Sequence, residues 1–303
     1  MNGGISLGFA NKKGDVGEAT RKTKSFKEKL EEQILKMQQI PVSKKILLSG
    51  KNDTGKSSFA LGVATYDLEP DEIIMYVDVD NSGLEIIHDI YTEYFDNGQI
   101  IPYRPNHCFK DEDGYRKKDE EKTIYAIGDI AMDVQDGLDE GAKIKAVVVD
   151  GISFILECCE AFMRLEEDIS VADGVPMQKW KIRNQAFRGF SSLYMSLPIP
   201  VIFISHDDFI PELHESDTSD DFGFSSVKQR FIDECSMRLI LDQEEDEEIA
   251  DYVATIKKNR SDLTTEGNQY TFLTCNKKTK DVDANYEEIA PIIFPKKNKK
   301  EKK

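Results

Sequence analysis

The chain has 303 residues, of which 39% are apolar, and it carries a formal net charge of −17 at pH 7. This length and apolar content suffice for one large domain with a hydrophobic core, and the acidity excludes a protein that attracts nucleic acid through its overall field. No apolar run reaches the roughly 18 residues of a membrane span and no apolar signal core lies near the amino terminus, so we expect neither a membrane span nor a secretory signal.

The two ends of the chain are basic although the whole is acidic. Residues 1–40 hold eight Lys or Arg against five Asp or Glu, and residues 291–303 hold six Lys against one Glu. Apolar residues recur at helical spacing in "KSFKEKLEEQILKMQQ", which predicts an amphipathic helix over residues 24–39. We therefore divide the chain into a disordered basic arm with this helix (1–40), a folded core (41–290) and a basic tail (291–303).

Within the core, short apolar strands alternate with helical segments. The pattern predicts strands at 45–50, 72–80, 99–105, 144–151 and 199–208, helices at 55–68, 83–95, 122–138, 152–167 and 177–196, and a charged loop at 105–121. Continuous Val and Ile strands separated by helices are typical of a parallel sheet that is covered on both faces. Three further strands, at 237–242, 251–259 and 268–274, have little helix between them. We expect an α/β fold with a mostly parallel central sheet and an antiparallel C-terminal extension.

A phosphate-binding motif joins the first strand to the first helix. The stretch "GKNDTGKS" fits G-x-x-x-x-G-K-[ST] with Gly50, Gly55, Lys56 and Ser57, and both the preceding strand and the following helix are predicted. The glycines let backbone N–H groups curl around phosphate, and the helix N-terminus adds a positive dipole end. Lys56, which we expect to be exposed until phosphate arrives, would reach the β- and γ-phosphates. The predicted cradle for ATP consists of Gly50, Lys51, Asn52, Asp53, Thr54, Gly55, Lys56, Ser57 and Ser58.

Acidic residues end two of the predicted strands. Asp150 follows "AVVV", at the position expected for the second partner of Mg²⁺ beside the Ser57 hydroxyl. Asp78 and Asp80 alternate at the end of the neighbouring strand and so share a face. Either of them could orient an attacking water. The sequence therefore predicts a Mg²⁺ site at Ser57 and Asp150, with a candidate base next to it.

The order of these motifs resembles the RecA-like ATPase superfamily over about residues 41–275. The cradle comes first, then an acid after the second strand, then the strand that ends in Asp150, then a strand that ends in Ser205 and His206, and finally "TIKKNR". The resemblance implies that Asp80 is the catalytic base, that His206 senses the γ-phosphate, and that Lys258 and Arg260 reach the nucleotide site of a neighbouring subunit. The family usually has Glu at the base position, so the shorter Asp80 implies slow hydrolysis.

Within that superfamily, the chain looks most similar to small phage and archaeal ATPases of recombination and single-strand annealing. The segment "PMQKWKIRNQAFRGFSSLYMSLPIPVIFISHDD" carries this similarity. It implies a Mg²⁺-dependent ATPase that forms a ring or filament and contacts single-stranded DNA. Trp180 lies among basic residues that could clamp such a strand, namely Lys179, Lys181, Arg183 and Arg188. A solvated helix with one aromatic packed inward explains the same pattern equally well.

Charge in the presumed DNA-facing loop opposes the DNA role. Residues 207–221 contain seven acids and no Lys or Arg, and such a loop repels phosphate. Two other functions therefore stay open: a hexameric, helicase-like motor, and a nucleotide-switched interaction protein that does not act on DNA. A small-molecule kinase is disfavoured because the chain has no Arg-rich lid.

The cysteines predict neither a disulfide framework nor a metal site. The five are Cys108, Cys158, Cys159, Cys235 and Cys275, and they form no C-x-x-C pair. We expect reduced thiols in a cytoplasmic protein. His107 beside Cys108, and the adjacent pair Cys158 and Cys159, fit no standard zinc spacing.

Overall fold

The fold was analysed in a computed structural model, which describes residues 43–79, 83–110, 116–213 and 224–295. All of these residues belong to one compact unit, Val42–Lys303. Four features predicted from the sequence lie wholly or mostly outside the described residues. They are the helix at 24–39, Asp80, the acidic loop beyond residue 213, and the basic tail beyond residue 295.

A nine-stranded sheet forms the centre of this unit, in the order β11-β10-β9-β8-β1-β7-β6-β2-β3. Neighbouring strands are parallel from β8 to β3 and antiparallel from β8 to β11. The expected α/β fold with an antiparallel C-terminal extension is thus confirmed. The strands are β1 (Lys45–Ser49), β2 (Ile73–Asp78), β3 (Ile100–Tyr103), β6 (Ile144–Asp150), β7 (Val201–Ser205), β8 (Met237–Glu245), β9 (Ile249–Asn259), β10 (Gln269–Asn276) and β11 (Val282–Ala284).

Helices cover both faces of the sheet, because the parallel strands are apolar on both sides. Alternate residues of one strand, such as Leu47 and Leu48, enter two different cores. One core packs against α4 (Glu120–Asp139), α5 (Ile152–Glu166), α6 (Trp180–Ser196) and α7 (Phe224–Glu234). The other packs against α1 (Lys56–Thr65), α2 (Leu84–Ile90) and the short α8 (Ala290–Ile293), with α3 (Thr92–Asp96) at its margin.

The C-terminal segment packs on α1. The ring of Tyr286 stands against Gly62 and leaves no room for a Cβ there. Ile289, Ala290 and Ile293 are buried beside it. Lys44, just before β1, donates a hydrogen bond to the carbonyl of Ile292. The first strand and the last helix of the described chain are therefore neighbours.

Three local predictions were wrong. The charged segment 105–121 contains a two-stranded hairpin, β4 (Cys108–Lys110) and β5 (Arg116–Lys118), rather than loop alone. The helix expected at 83–95 is two helices, because Tyr91 leaves the helical region and donates its hydroxyl to the carbonyl of Ser58. Helix α7 was not predicted, although Val227 and Phe231 are both buried at helical spacing.

No helix among the described residues combines the length and the apolar character needed to cross a membrane.

Candidate functional site

The predicted phosphate-binding loop runs from the end of β1 to the start of α1. Gly50 lies so close to the carbonyl of Leu241 in β8 that a Cβ could not fit, and that Cβ would also come within 2.8 Å of the Thr54 hydroxyl. Asp53 and Gly55 have φ of 63° and 70°, in the left-handed region, and Gly55 is the residue before α1. The loop therefore folds back over the N-terminus of α1, where backbone N–H groups and the helix dipole attract anions.

The structure corrects the expected exposure of Lys56. Its side chain is buried, and its ammonium donates to the carbonyls of Gly50 at 2.9 Å and Lys51 at 2.5 Å. Thr54 also donates to the carbonyl of Lys51, at 2.9 Å. Lys56, which the motif assigns to phosphate, is thus hydrogen-bonded to the backbone of the loop itself.

Ser57 and Asp150, which are predicted to share Mg²⁺, are in direct contact. The Ser57 hydroxyl donates to Oδ2 of Asp150 at 2.5 Å, across 93 positions of sequence. The same oxygen accepts a second hydrogen bond, at 2.6 Å, from the hydroxyl of Tyr76 in β2. Sequence reasoning missed Tyr76, and its only signal was an aromatic residue inside the aliphatic run "IIMYV".

A group that could hold Mg²⁺ is therefore present. Magnesium prefers oxygen ligands and is held in phosphate-binding sites by one or two protein oxygens together with phosphate. The hydroxyl of Ser57 and the carboxylate of Asp150 supply such oxygens at the first turn of α1. Both fit the predicted ion. No cluster of three or more His, Cys, Asp or Glu side chains suited to a metal occurs in the part of the chain that the structure describes.

Asp78 forms an ion pair with Arg104. It ends β2 directly opposite Asp150 in the neighbouring strand, and its side chain is fully buried. Its Oδ2 lies 3.3 Å from Nε of Arg104, a half-exposed residue just beyond β3. Arg104 was not singled out in the sequence. Of the two carboxylates considered as a base, the one that the structure describes is thus held by a cation, whereas Asp80 lies outside the described residues.

The end of β7 brings Ser205 and His206 to the same edge of the sheet. The hydroxyls of Ser205 and Ser49 are 2.8 Å apart, which ties β7 to the start of the loop. The backbone N–H of His206 donates to the Ser153 hydroxyl at 3.2 Å. Nδ1 of His206 is buried and makes no hydrogen bond to the described residues. Such an atom costs about 1–3 kcal/mol unless a ligand or water satisfies it.

A buried network continues beyond His206. The Ser153 hydroxyl donates to Oδ1 of Asp208 at 2.7 Å, and Lys228 in α7 lies 2.6 Å from Oδ2 of the same carboxylate. Lys228 is 5% exposed and also donates to the carbonyl of Asp208 at 2.9 Å. Asp208, near the start of the acidic segment, is therefore neutralised by Lys228. Nothing in the sequence marked Lys228 as its partner.

Lys258 and Arg260 lie far from the cradle of their own chain. In β9, Lys258 lies opposite Arg238 of β8, which in turn lies opposite Leu47 in the middle of β1. The cradle begins three residues beyond Leu47, roughly 10 Å further along the strand direction, and β1 is two strands away from β9. Both cations instead cap α7. Lys258 donates to the carbonyls of Ile232 at 2.9 Å and Asp233 at 3.0 Å, and Arg260 also donates to Asp233.

The proposed DNA clamp on α6 is weaker than its sequence suggests. Arg183 is 1% exposed, and its guanidinium lies 4.3 Å from the centre of the Trp180 ring. Lys179 is paired with Glu167. Arg183 is therefore buried against a partly exposed Trp180 ring, so it is not available to a nucleic-acid strand in the way the predicted clamp requires. Lys181 and Arg188 are exposed.

The five cysteines are free thiols in the structure, and three of them are buried. Burial raises the pKa of Cys158 and of Cys235 to about 12 each.

Comparison with known proteins gives structural similarity without similarity in sequence. No protein-family signature matches the chain, and no curated protein matches it in sequence. Among solved structures, the fold is similar to that of a KaiC-like protein from the hyperthermophilic archaeon Pyrococcus horikoshii. The two share 13% sequence identity over 80% of this chain and 89% of that protein, with a TM-score of 0.45.

Proposed function

We propose that this chain binds ATP with Mg²⁺ in the loop between β1 and α1 and hydrolyses it, as its resemblance to RecA-like ATPases implies. The observation that carries the proposal is the 2.5 Å hydrogen bond between Ser57 and Asp150. Two residues that the motif assigns to one cation, far apart in sequence, meet at the N-terminus of a helix that follows a glycine-dependent loop.

In this proposal, each residue has a separate task. Lys56 leaves the carbonyls of Gly50 and Lys51 and moves its ammonium onto phosphate oxygens. The N-terminus of α1 contributes backbone N–H groups to the same oxygens. Ser57 and Asp150 would hold Mg²⁺, which neutralises charge on the phosphates when it is bound. His206 offers its buried Nδ1 toward the phosphate end of the nucleotide.

Asp80 is the proposed base. Asp78 is fully buried and ion-paired with Arg104, so a water could reach it only if that pair opened. Asp80 is two residues further along the chain, and the alternation of side chains in a strand predicts it on the same face as Asp78. A general base has to lie within hydrogen-bond reach of the attacking water.

Nucleotide binding and phosphate release test this proposal. Lys56→Ala should abolish both while the melting temperature stays within a few degrees of the wild-type value. Lys143→Ala is the matched control, because Lys143 pairs with Asp71 on the surface and should change neither readout. Retention of ATP binding by Lys56→Ala, with a normal melting curve, would exclude the cradle.

The role in DNA recombination or annealing remains the leading biological proposal, and it rests on the resemblance. We expect weak, salt-sensitive binding to single-stranded DNA that strengthens with a non-hydrolysable ATP analogue. Because Arg183 is buried, the suitable variant is Lys181→Ala with Arg188→Ala, which should flatten the salt dependence by about two charges' worth. Absence of binding at low salt with the analogue present would reject the recombinase role.

In that case, a nucleotide-switched interaction protein is the better description. The hydrogen-bonded path from His206 through Ser153 and Asp208 to Lys228 supports this second candidate, because it links the nucleotide edge of the sheet to α7. A hexameric motor stays open until the assembly state is measured with and without ATP analogue.

A further inference from the structure

Tyr76 occupies an unusual place for a tyrosine. It lies in the middle of β2, a parallel strand, and its side chain is fully buried among apolar residues on the α1 side of the sheet. Its partner in the neighbouring strand is Val148, two residues before Asp150. Two residues of strand span about 6.6 Å, which matches the reach of a tyrosine that leans along its strand. The hydroxyl therefore arrives at the carboxylate of Asp150.

We propose that Tyr76 is a positioning residue that holds the Asp150 carboxylate in the orientation needed to bind the divalent cation. This inference rests on the proposed function and deepens it. Oδ2 of Asp150 accepts from two hydroxyls, Tyr76 at 2.6 Å and Ser57 at 2.5 Å. Ser57 is itself assigned to the cation, so its hydrogen bond depends on the state of the site. Tyr76 provides a donor that is not itself assigned to the cation.

The hydroxyl of Tyr76 is a donor throughout the physiological pH range, because a phenol loses its proton only near about pH 10. Hydrogen bonds to a carboxylate are shorter and stronger than those between neutral groups, which makes Tyr76 an effective restraint on Asp150.

The Tyr76 hydroxyl also lies close to the start of α2. A Cβ placed on Gly83, the residue before α2, would lie 4.0 Å from the Tyr76 hydroxyl and 4.0 Å from the Ser57 hydroxyl. The N-terminus of α2 therefore borders the proposed cation site.

The test compares two tyrosines that differ in one respect. Tyr194 is also fully buried, and its hydroxyl donates to a backbone carbonyl, that of Ile127, at 2.8 Å. It belongs to the other core layer, on the opposite face of the sheet from Tyr76. Tyr76→Phe and Tyr194→Phe each remove one buried hydroxyl and its hydrogen bond. Only the first removes a donor from the cation site.

Divalent-cation binding is measured by electron paramagnetic resonance of Mn²⁺ in the presence of ADP, and by Mg²⁺ titration of nucleotide binding. Outer partners of metal-binding side chains typically contribute 10–100-fold in affinity, so Tyr76→Phe should weaken Mn²⁺ and Mg²⁺ binding by about tenfold. Nucleotide binding without a cation should stay within about twofold of wild type. Tyr194→Phe should match the wild-type protein in both titrations.

Three results would overturn the inference. One is a Tyr76→Phe protein whose cation titration equals that of wild type, and another is an equal loss in Tyr194→Phe. The third comes from a double-mutant cycle: if Tyr76 acts through Asp150, then Tyr76→Phe should cause no further loss in an Asp150→Asn background, and a full additional loss contradicts that. If the wild-type protein binds no nucleotide under any condition, the proposed function fails and this inference with it.

Discussion

At the scale of single residues, Gly50 is where the backbone constrains the candidate site most directly. A Cβ at this position would meet the carbonyl of Leu241 and would lie 2.8 Å from the Thr54 hydroxyl. Gly50→Ala should lower the free energy of unfolding by about 1–3 kcal/mol, because backbone has to shift to admit the methyl group. It should also weaken nucleotide binding, since the shift occurs in the loop. Urea unfolding and nucleotide titration measure the two effects.

A second glycine provides the contrast for this prediction. Gly189 lies in α6, is exposed, and has open space where a Cβ would stand. Gly189→Ala should raise the free energy of unfolding by roughly 0.5–1 kcal/mol through helix propensity and leave nucleotide binding unchanged. Equal stability of the two variants would show that Gly50 is not constrained by β8.

Asp80 allows a prediction about chemistry separate from binding. Asp80→Asn should remove hydrolysis and keep ATP binding, because the amide cannot take a proton from water. Asp80→Glu should raise the rate, since the longer side chain restores the reach that is usual in the family. Single-turnover phosphate release together with equilibrium binding separates the two quantities. Normal hydrolysis by Asp80→Asn would transfer the role to another group, Asp78 among them.

At the scale of elements, Lys258 and Arg260 cap the C-terminus of α7, and they are also the residues predicted to reach a neighbouring subunit. Lys258 donates to the last carbonyls of α7, an interaction of cations with helix C-termini that is typically worth about 0.3–1 kcal/mol. Lys258→Met should lower the unfolding free energy by about this amount. Its neighbour Lys257 is exposed, so Lys257→Met is the control and should be neutral.

Activity in mixtures then tests the role in trans. If Lys258 serves only α7, loss of hydrolysis in Lys258→Met should follow loss of folded protein. If it also reaches a neighbouring cradle, Lys258→Met should be inactive while folded. Mixing it with inactive Lys56→Ala should then restore part of the activity, because some interfaces pair an intact cradle with an intact cation. No recovery at any mixing ratio would leave Lys258 as a helix cap alone.

The elements also show what the sequence could predict. The parallel strands and their order of motifs were predictable, because apolar periodicity and the spacing around Gly50 and Lys56 are local signals. The interior position of Tyr76 against Asp150 was not, because it depends on which strands become neighbours. The same holds for Lys228, whose partner Asp208 lies twenty positions away across a segment with no periodic signal. The burial of Arg183 could not be predicted either, because it depends on how α6 packs around Trp180.

At the scale of the whole molecule, buried thiols make stability depend on alkaline pH. The pKa of Cys158 and of Cys235 is raised by burial to about 12, from an ordinary value of 9.0. Between these values the unfolded chain loses the protons and the folded chain keeps them, so the free energy of unfolding falls as pH rises. The slope is roughly 1.4 kcal/mol per pH unit for each such thiol.

Cys235→Ala should therefore flatten the pH dependence of stability above pH 9 by about that slope, relative to its own value at pH 7.5. The exposed Cys108→Ala is the control and should keep the wild-type slope. Lys45 acts in the opposite direction. Burial lowers its pKa to about 8, so above that pH the folded chain has lost a proton that the unfolded chain still holds, and the free energy of unfolding rises with pH. Urea midpoints from pH 7.5 to 10.5 measure the balance. A steeper fall in Cys235→Ala than in wild type would contradict the assignment.

The packing of Tyr286 on Gly62 has a consequence for the way the protein is made. β1 and α1, which carry the loop at Gly50, leave the ribosome long before Ile292 and Tyr286, the partners of Lys44 and Gly62, have been synthesised. Contacts between such distant positions are slow to form, and the apolar side of α1 has to wait for them. We therefore expect nascent chains that end before residue 285 to bind chaperones and no nucleotide, and ATP to be captured only once residue 292 has left the ribosome.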